Sequence, residues 1–367
     1  MSTIVRNLKL GNRERMIRVC SNKSVDRLPF WFMFGPWGET LDRWRKEGLP
    51  TDNWQTFFGF DVGFESLPIN LGLYPDFPHT VLEEDERTRK VINNQGITLI
   101  ESKEQSTIPL YIDYPIKNRA DWERIKEERL NPNAPERFPS DWPAVIQEMK
   151  ERDAAIQVGK YPYGLFGTLR DFMGVTELLV AFYDEPELIH EMMDYLTDFW
   201  LTIYKKVLTD VQIDHIHIWE DMSGKNGPLI SPTMFREFMM PNYKRIVAFA
   251  KENNIPVVSV DTDGNMDILM PLLEESGINF VLPFEVQAGC DIVDLRRKYP
   301  GIAMHGGIDK RKIALNFAEI DRELDRIEEL YHKSGYLPAL DHLPHPEISL
   351  GNFTYFVDRL KSKLGYQ

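Results

Sequence analysis

Eight short apolar segments recur along this chain, each followed by helical or long connecting sequence, and no other feature constrains the fold as strongly. They centre at about residues 30, 62, 156, 215, 258, 281, 303 and 338. The runs are 27–35 (RLPFWFMFG), 60–67 (FDVGFESL), 155–159 (AIQVG), 213–220 (IDHIHIWE), 256–261 (PVVSVD), 279–285 (NFVLPFE), 302–305 (IAMH) and 336–341 (YLPALD). Brief apolar runs bounded by turn residues suit strands of a parallel sheet covered on both faces. Between them lie helical patterns at 177–211, 231–253, 266–276, 292–299, 317–334 and 350–364. The first restarts at Asp184-Glu185-Pro186, with Asp184 as cap. The second opens on Ser231 and Pro232 and should be kinked by Pro241. Gly277 and Gly335 stop two others, the latter after a face of Ile320, Leu324, Ile327 and Tyr331. Segment 79–102 reads as a polar β-hairpin or meander turning at Asn93-Asn94-Gln95-Gly96, and 113–141 as a surface excursion with one short helix. The expected fold is therefore α/β: a (β/α)8 TIM barrel forming one domain over 1–367, with an inserted hairpin and loop excursion at about 79–141, after the second strand. A doubly wound sheet has the same alternation but lacks its Gly-rich phosphate fingerprint here.

Charge narrows the function. The chain has 367 residues, with 43 Lys and Arg against 57 Asp and Glu, a net charge of −14. That balance argues against nucleic acid, whose binders need a basic footprint. Two cysteines, Cys20 and Cys290, cannot build a disulfide framework or a Cys-rich zinc site, which points to a cytoplasmic location. Cys290 precedes a helix but has no evident base, which argues against a nucleophile. Residues 1–12 lack the apolar run of a signal peptide, and no window reaches the ~18 apolar residues of a membrane span.

In a barrel of this kind, chemistry sits at the C-terminal ends of the strands. Reading those ends in order gives Phe34, Trp37 and Glu39, then Glu65, Tyr161, Tyr163, Glu220, Asp221, Asp261, Asp263, Glu285, His305, Asp341 and His342. Each alone could be a solvated loop residue or a helix cap. Together, six acids and two histidines from the last five strands would repel at one mouth unless a cation or shared protons neutralised them. Zinc or another divalent metal is one neutraliser, with Asp263, Glu285 and His305 as first ligands and Asp261 and His342 next. A cluster of protonated carboxyls is the other, and it suits acid/base work. Glu220 or Asp221 is the expected proton donor. Phe34, Trp37, Tyr161, Tyr163 and Asp341 are the expected substrate contacts. His215 and His217 share one strand face, either as packed core residues or as support for the site.

Several segments carry a family resemblance: GVTELLVAFYDEPELIHEMMDYLTDF (174–199), IWEDMSGKNGPLISPTMFREFMMPNYKRI (218–246), VSVDTDGN (258–265), MHGGIDK (304–310) and ALDHLPHPEISLGNF (339–353). The chain resembles the uroporphyrinogen decarboxylase superfamily, closer to its metal-dependent, corrinoid-linked methyltransferases than to the decarboxylase proper. The decarboxylase carries a paired-arginine motif after the first strand; here that stretch reads FMFGPWGETLDRW, with no arginine before Arg43. The methyltransferases carry a His-x-Cys-Gly zinc motif and a later Cys. The matching positions here are Asp261-Thr262-Asp263-Gly264 and Asp341-His342, oxygen and imidazole in place of thiolate. The resemblance implies methyl transfer between a small methylated compound, such as an O-methyl compound, and a corrinoid carried by a partner protein. A metal would act as Lewis acid on the leaving oxygen. It also implies a homodimer, since related barrels often pair. The competing expectations are a metal-free decarboxylase of a tetrapyrrole or small carboxylic acid, and a binding module without activity.

Overall fold

The continuous burial of His215–Trp219, Val257–Asp261, Ala303–Ile308 and Tyr336–Leu340 follows from their apolar runs, which leave no face for solvent. In the computed structural model, which describes residues 4–5, 9–104 and 108–366, these strands lie in one parallel sheet. Its seven strands run in the order Phe64–Ser66, Ala155–Val158, His215–Trp219, Val257–Asp261, Phe280–Leu282, Ala303–Ile308 and Tyr336–Leu340. The sheet is curled into a half-barrel of TIM-barrel-like kind, and sequence neighbours are spatial neighbours throughout. Register places Asp261 beside Trp219 and Ser259 beside His217, so the polar residues of two strands share a level.

The first expected strand, 27–35, is not part of this ladder. Its extended chain lies between the two ends of the sheet, with the Trp31 ring 5.6 Å from Phe64 and 5.4 Å from His305. Pro29 and Pro36 bring no N–H, and side chains take the place of a strand neighbour. Phe30 N–H donates to the Asp61 carboxylate, Asp61 N–H donates back to Phe30 O, and Met33 N–H donates to His305 Nε2.

Helix boundaries show where local rules meet packing. Ser231 caps Pro232–Met234 through the Met234 N–H, and Gly277 ends Leu269–Ser276 in the left-handed conformation. Pro241 acts one turn upstream. Phe235–Met239 is a π-helical turn leading into Met240–Glu252, a widening that accommodates a ring unable to donate to the preceding turn. Asp184 is the last residue of Val175–Asp184, not a cap, and Pro186 opens Pro186–Val207.

The excursion after Phe64–Ser66 holds a four-stranded antiparallel sheet: Thr80–Glu84, Thr88–Ile92, Thr98–Ser102 and Leu110–Asp113. Asn93 makes one of its turns, accepting the Gln95 and Ile97 N–H groups on its side chain. Buried Arg137 helps tie the excursion down. It donates to the carbonyls of Asn70, Gly72, Arg129 and Asn131 and lies over the Phe199 ring at 4.4 Å. Burial lowers its pKa to about 10. The last strand, Leu110–Asp113, brings Tyr111 to the mouth of the sheet. No helix among the described residues is long and apolar enough to cross a membrane.

Candidate active site

A cleft of about 610 Å³ opens at the C-terminal ends of the strands. Its walls include Phe34, Tyr111, Tyr114, Tyr161 and Trp219, with the carboxyls of Asp171, Asp221, Asp261 and Asp263, the guanidinium of Arg170 and the imidazole of His342. Five aromatic rings therefore share one space with four carboxyls.

Glu220 organises one side of the cleft without entering it. It is fully buried and accepts the backbone N–H groups of Leu165, Phe166 and Gly167, at 3.0, 2.6 and 3.0 Å. The Tyr243 hydroxyl donates to it at 2.7 Å. These bonds pin the N-terminus of Leu165–Met173 to the end of His215–Trp219, as a carboxylate at a helix start should. Burial nevertheless raises its pKa to about 7. The expected proton donor Glu220 is thus a positioning residue: every acceptor it has is spent on the scaffold.

The pinned helix carries Arg170 and Asp171 into the cleft. Asp221, next to Glu220, sits at φ +44, which turns its carboxyl towards Arg170. Arg170 Nη1 donates to both the Asp221 carboxylate and its carbonyl oxygen, and its guanidinium lies 4.8 Å above the Trp219 ring. Asp171 has no hydrogen bond or ion pair among the described residues. It lines the cleft together with Arg170, Asp221, Tyr111, Tyr114 and Tyr161. Burial raises its pKa to about 6, and Arg170 only partly offsets that. The Tyr161 ring meets Trp219 edge-on at 4.6 Å.

The opposite wall holds two carboxyl–imidazole pairs. His342 Nε2 lies 3.5 Å from Asp263, and His217 Nε2 lies 3.5 Å from Asp261. Burial works against a charged His342, but the Asp263 carboxylate outweighs it and the pKa is raised. The His342 ring stacks on Phe34 at 5.4 Å. Burial raises the Asp261 pKa, with His217 pulling the other way. Behind Asp261, His217 Nδ1 and His215 Nε2 both meet Ser259 Oγ, at 2.9 and 2.7 Å. Gly264, at φ +84, makes the turn after Asp263. A Cβ there would lie 2.6 Å from the carbonyl oxygens of Ser223 and Gly224.

Of the expected metal ligands, Asp261, Asp263 and His342 line the cleft. Glu285 is turned away, accepting the Gly264 N–H at 3.0 Å and the Gln287 amide at 3.2 Å. His305 is buried between Trp31 and Phe34, its Nε2 used by Met33, and burial drops its pKa to about 3. Among the described residues, no three His, Cys, Asp or Glu side chains gather as a metal-holding group. The donors present form Asp–His and Asp–Arg pairs, so this arrangement does not fit a preformed metal centre, and the expected ligands Glu285 and His305 belong to the scaffold. Of the expected substrate contacts, Phe34 and Tyr161 line the cleft. Trp37 opens Gly38–Lys46 and donates its N–H to Pro344 O. Tyr163 faces a separate cavity beside Asn70 and Gly72. Asp341 is buried, accepting the Val286 and Lys310 N–H groups, with a pKa raised by burial to about 6.

Arg170, Asp171, Tyr111, Tyr114 and Trp219 do not stand among the strand-end candidates. A signal for the first two was present: LFGTLRDFM contains a single adjacent Arg and Asp in an otherwise uncharged helix, an arrangement that needs a polar destination.

The sequence profile of the uroporphyrinogen decarboxylase family (URO-D) matches residues 100–362. Similar proteins include uroporphyrinogen decarboxylases from Pelobacter propionicus, 22% identical over 94% of this chain and 96% of the relative, and from Desulfotalea psychrophila, 23% identical over 44% of this chain. The chain spans under half the length of the latter and of a Myxococcus xanthus relative, 45% and 43%. A methyltransferase from Methanosarcina mazei has a similar structure, with TM-score 0.58 and 16% identity over 97% of this chain and 98% of that one. At that identity the likeness is one of fold.

Proposed function

This chain belongs to the uroporphyrinogen decarboxylase family, and from that premise we propose that it is a methyltransferase acting on a small methylated compound. The observation that carries this reading is the charge of the cleft. Among the described residues, four carboxyls line it, and its one guanidinium, Arg170, is already bound to Asp221. A tetrapyrrole bearing many carboxylates would meet like charge with no free arginine clamp. A small, largely apolar methyl donor fits between Phe34, Tyr161 and Trp219.

In such a transfer, the acceptor's electron pair bonds to the methyl carbon, while the pair of the breaking bond stays with the leaving atom. If that atom is oxygen, it takes up a proton, and the groups placed to give one are Asp171 and His342. The acceptor in this reading is a corrinoid carried by a partner protein. The exposed apolar rim of the cleft, Ile108 and Tyr111 beside Val175, supports docking there. A cytoplasmic homodimer is part of the same reading. No step here runs through a metal.

The competing reading is decarboxylation, favoured by the names of the sequence relatives. Purified protein incubated with cob(I)alamin and a panel of O-, S- and N-methyl compounds decides between them. Methyl transfer converts the visible spectrum of the reduced corrinoid to that of methylcobalamin. Carbon dioxide release from uroporphyrinogen, with no spectral change for any donor, would replace the proposal by the competing reading.

A further inference from the structure

Taking the cleft as the place where a methylated compound is held, we infer that this compound is a cation, a methylated ammonium. The inference rests on the reading above and goes further by naming the substrate class. Its basis is the mismatch between the charges in the cleft. The two basic side chains each have a carboxylate beside them, Arg170 by Asp221 and His342 by Asp263. Asp261 has His217. Asp171 is left over: a mostly buried carboxyl with no hydrogen bond or ion pair among the described residues, lining the same cleft as Tyr111, Tyr114 and Tyr161.

A carboxylate sharing a cleft with aromatic side chains is poorly suited to an anion, and a neutral ether would leave its charge uncompensated. A quaternary ammonium has the complementary properties. It carries no N–H and so asks for no directed acceptor. Its charge is spread over methyl groups, which are attracted by ring faces and by a carboxylate at longer range. The cleft already holds one diffuse cation in this way, the Arg170 guanidinium over Trp219. The leaving group would be a neutral amine. The C–N electron pair stays on nitrogen as the reduced corrinoid's pair takes the methyl carbon, and no proton is consumed.

The titratable groups that share a cavity with Asp171 are Arg170, Asp221, Asp261, Asp263, His342, Tyr111, Tyr114 and Tyr161 in the cleft and Asp76 and Tyr163 on its other side, and burial raises its pKa to about 6. A bound cation favours the ionised carboxylate, so binding strengthens as pH rises through that value.

The test compares choline with its uncharged carbon isostere, 3,3-dimethylbutan-1-ol, by calorimetry and tryptophan fluorescence on the full chain near neutral pH. Choline should bind at least about tenfold more tightly than the isostere, a preference of the size that ring and carboxylate contacts give a desolvated cation. Asp171→Asn should remove that preference while leaving the isostere's affinity unchanged, with thermal unfolding confirming that the variant folds. Tyr161→Ala should weaken choline alone. Equal binding of the pair, no choline binding at millimolar concentration, or an unchanged preference in Asp171→Asn overturns the inference. The cob(I)alamin assay keeps the two claims apart. Choline-selective binding without methyl transfer from any donor removes the methyltransferase reading and leaves the cation site. Transfer from neutral ethers without choline binding does the reverse.

Discussion

The two rims of the sheet treat buried charge in opposite ways. At the N-terminal rim, the buried charged groups are held by partners, although Arg296 Nε has none among the described residues. Asp214 receives Arg13 through Nε at 2.9 Å and Nη2 at 3.0 Å, and also takes the Ile156 N–H at 2.8 Å. Arg15 grips Asp26 with two nitrogens. The fully buried Arg296 donates to the carbonyls of Ile302 and Ser334 at the starts of two strands. At the mouth, carboxyls outnumber basic side chains, and Asp171 is mostly buried with no hydrogen bond or ion pair among the described residues. The difference teaches which charges serve the fold. A partnered buried charge locks elements together, whereas an unpartnered one costs stability and persists where a ligand completes it.

Arg296→Ala should give the largest effect, because it strands strand-start carbonyls and leaves a cavity. The expected loss is on the order of 3–5 kcal/mol by urea unfolding, with the remaining folded protein keeping its choline affinity. A loss of binding without destabilisation would break the contrast between the rims.

Asp171→Asn should do the opposite. Its folded pKa of about 6 stands above the ordinary 3.8, so the ionised form is penalised in the folded state. That penalty is absent below about pH 4, grows between pH 4 and 6 and stays constant above, reaching at most about 3 kcal/mol at 1.36 kcal/mol per unit. The variant should therefore gain stability over the natural chain as pH rises through this window. Its kcat/KM for methyl transfer should fall about 100-fold, a loss of electrostatic complementarity read in the corrinoid assay. A stability difference that does not change with pH would mean that Asp171 has a partner in solution.

Asp214→Asn is expected to cost about 1–2 kcal/mol, since Arg13 is half exposed and the amide still accepts one bond. The smallest effect belongs to a pair on neither rim. Arg236→Ala removes a contact with Glu275 in which both side chains are largely exposed, and its effect on thermal unfolding should stay within about 0.5 kcal/mol.

Much of the architecture is legible in the amino-acid sequence. Strand positions from 155 onwards follow from apolar runs, and the stop at Gly277 and the cap at Ser231 follow from turn and capping chemistry. The run 27–35 has the composition of a strand; the prolines and the side-chain bonds to Asp61 and His305 keep it out of the ladder. The site was legible only as a location. The acids do stand at strand ends, yet Glu220 and Asp341 turn inward to backbone N–H groups, and Glu285 takes the Gly264 N–H.

What the sequence by itself determined is the order of strands and helices and the rim at which polar residues collect, because period, capping and turn preference act over a few neighbouring residues. Which carboxyl would be satisfied and which left bare was decided only by the tertiary structure. Arg170 reaches Asp221 from 51 residues away, and the tyrosines around Asp171 come from the excursion as well as from the barrel. Such pairings depend on distances between segments that no local pattern encodes, and in a medium of low polarity those distances set the charge of each group.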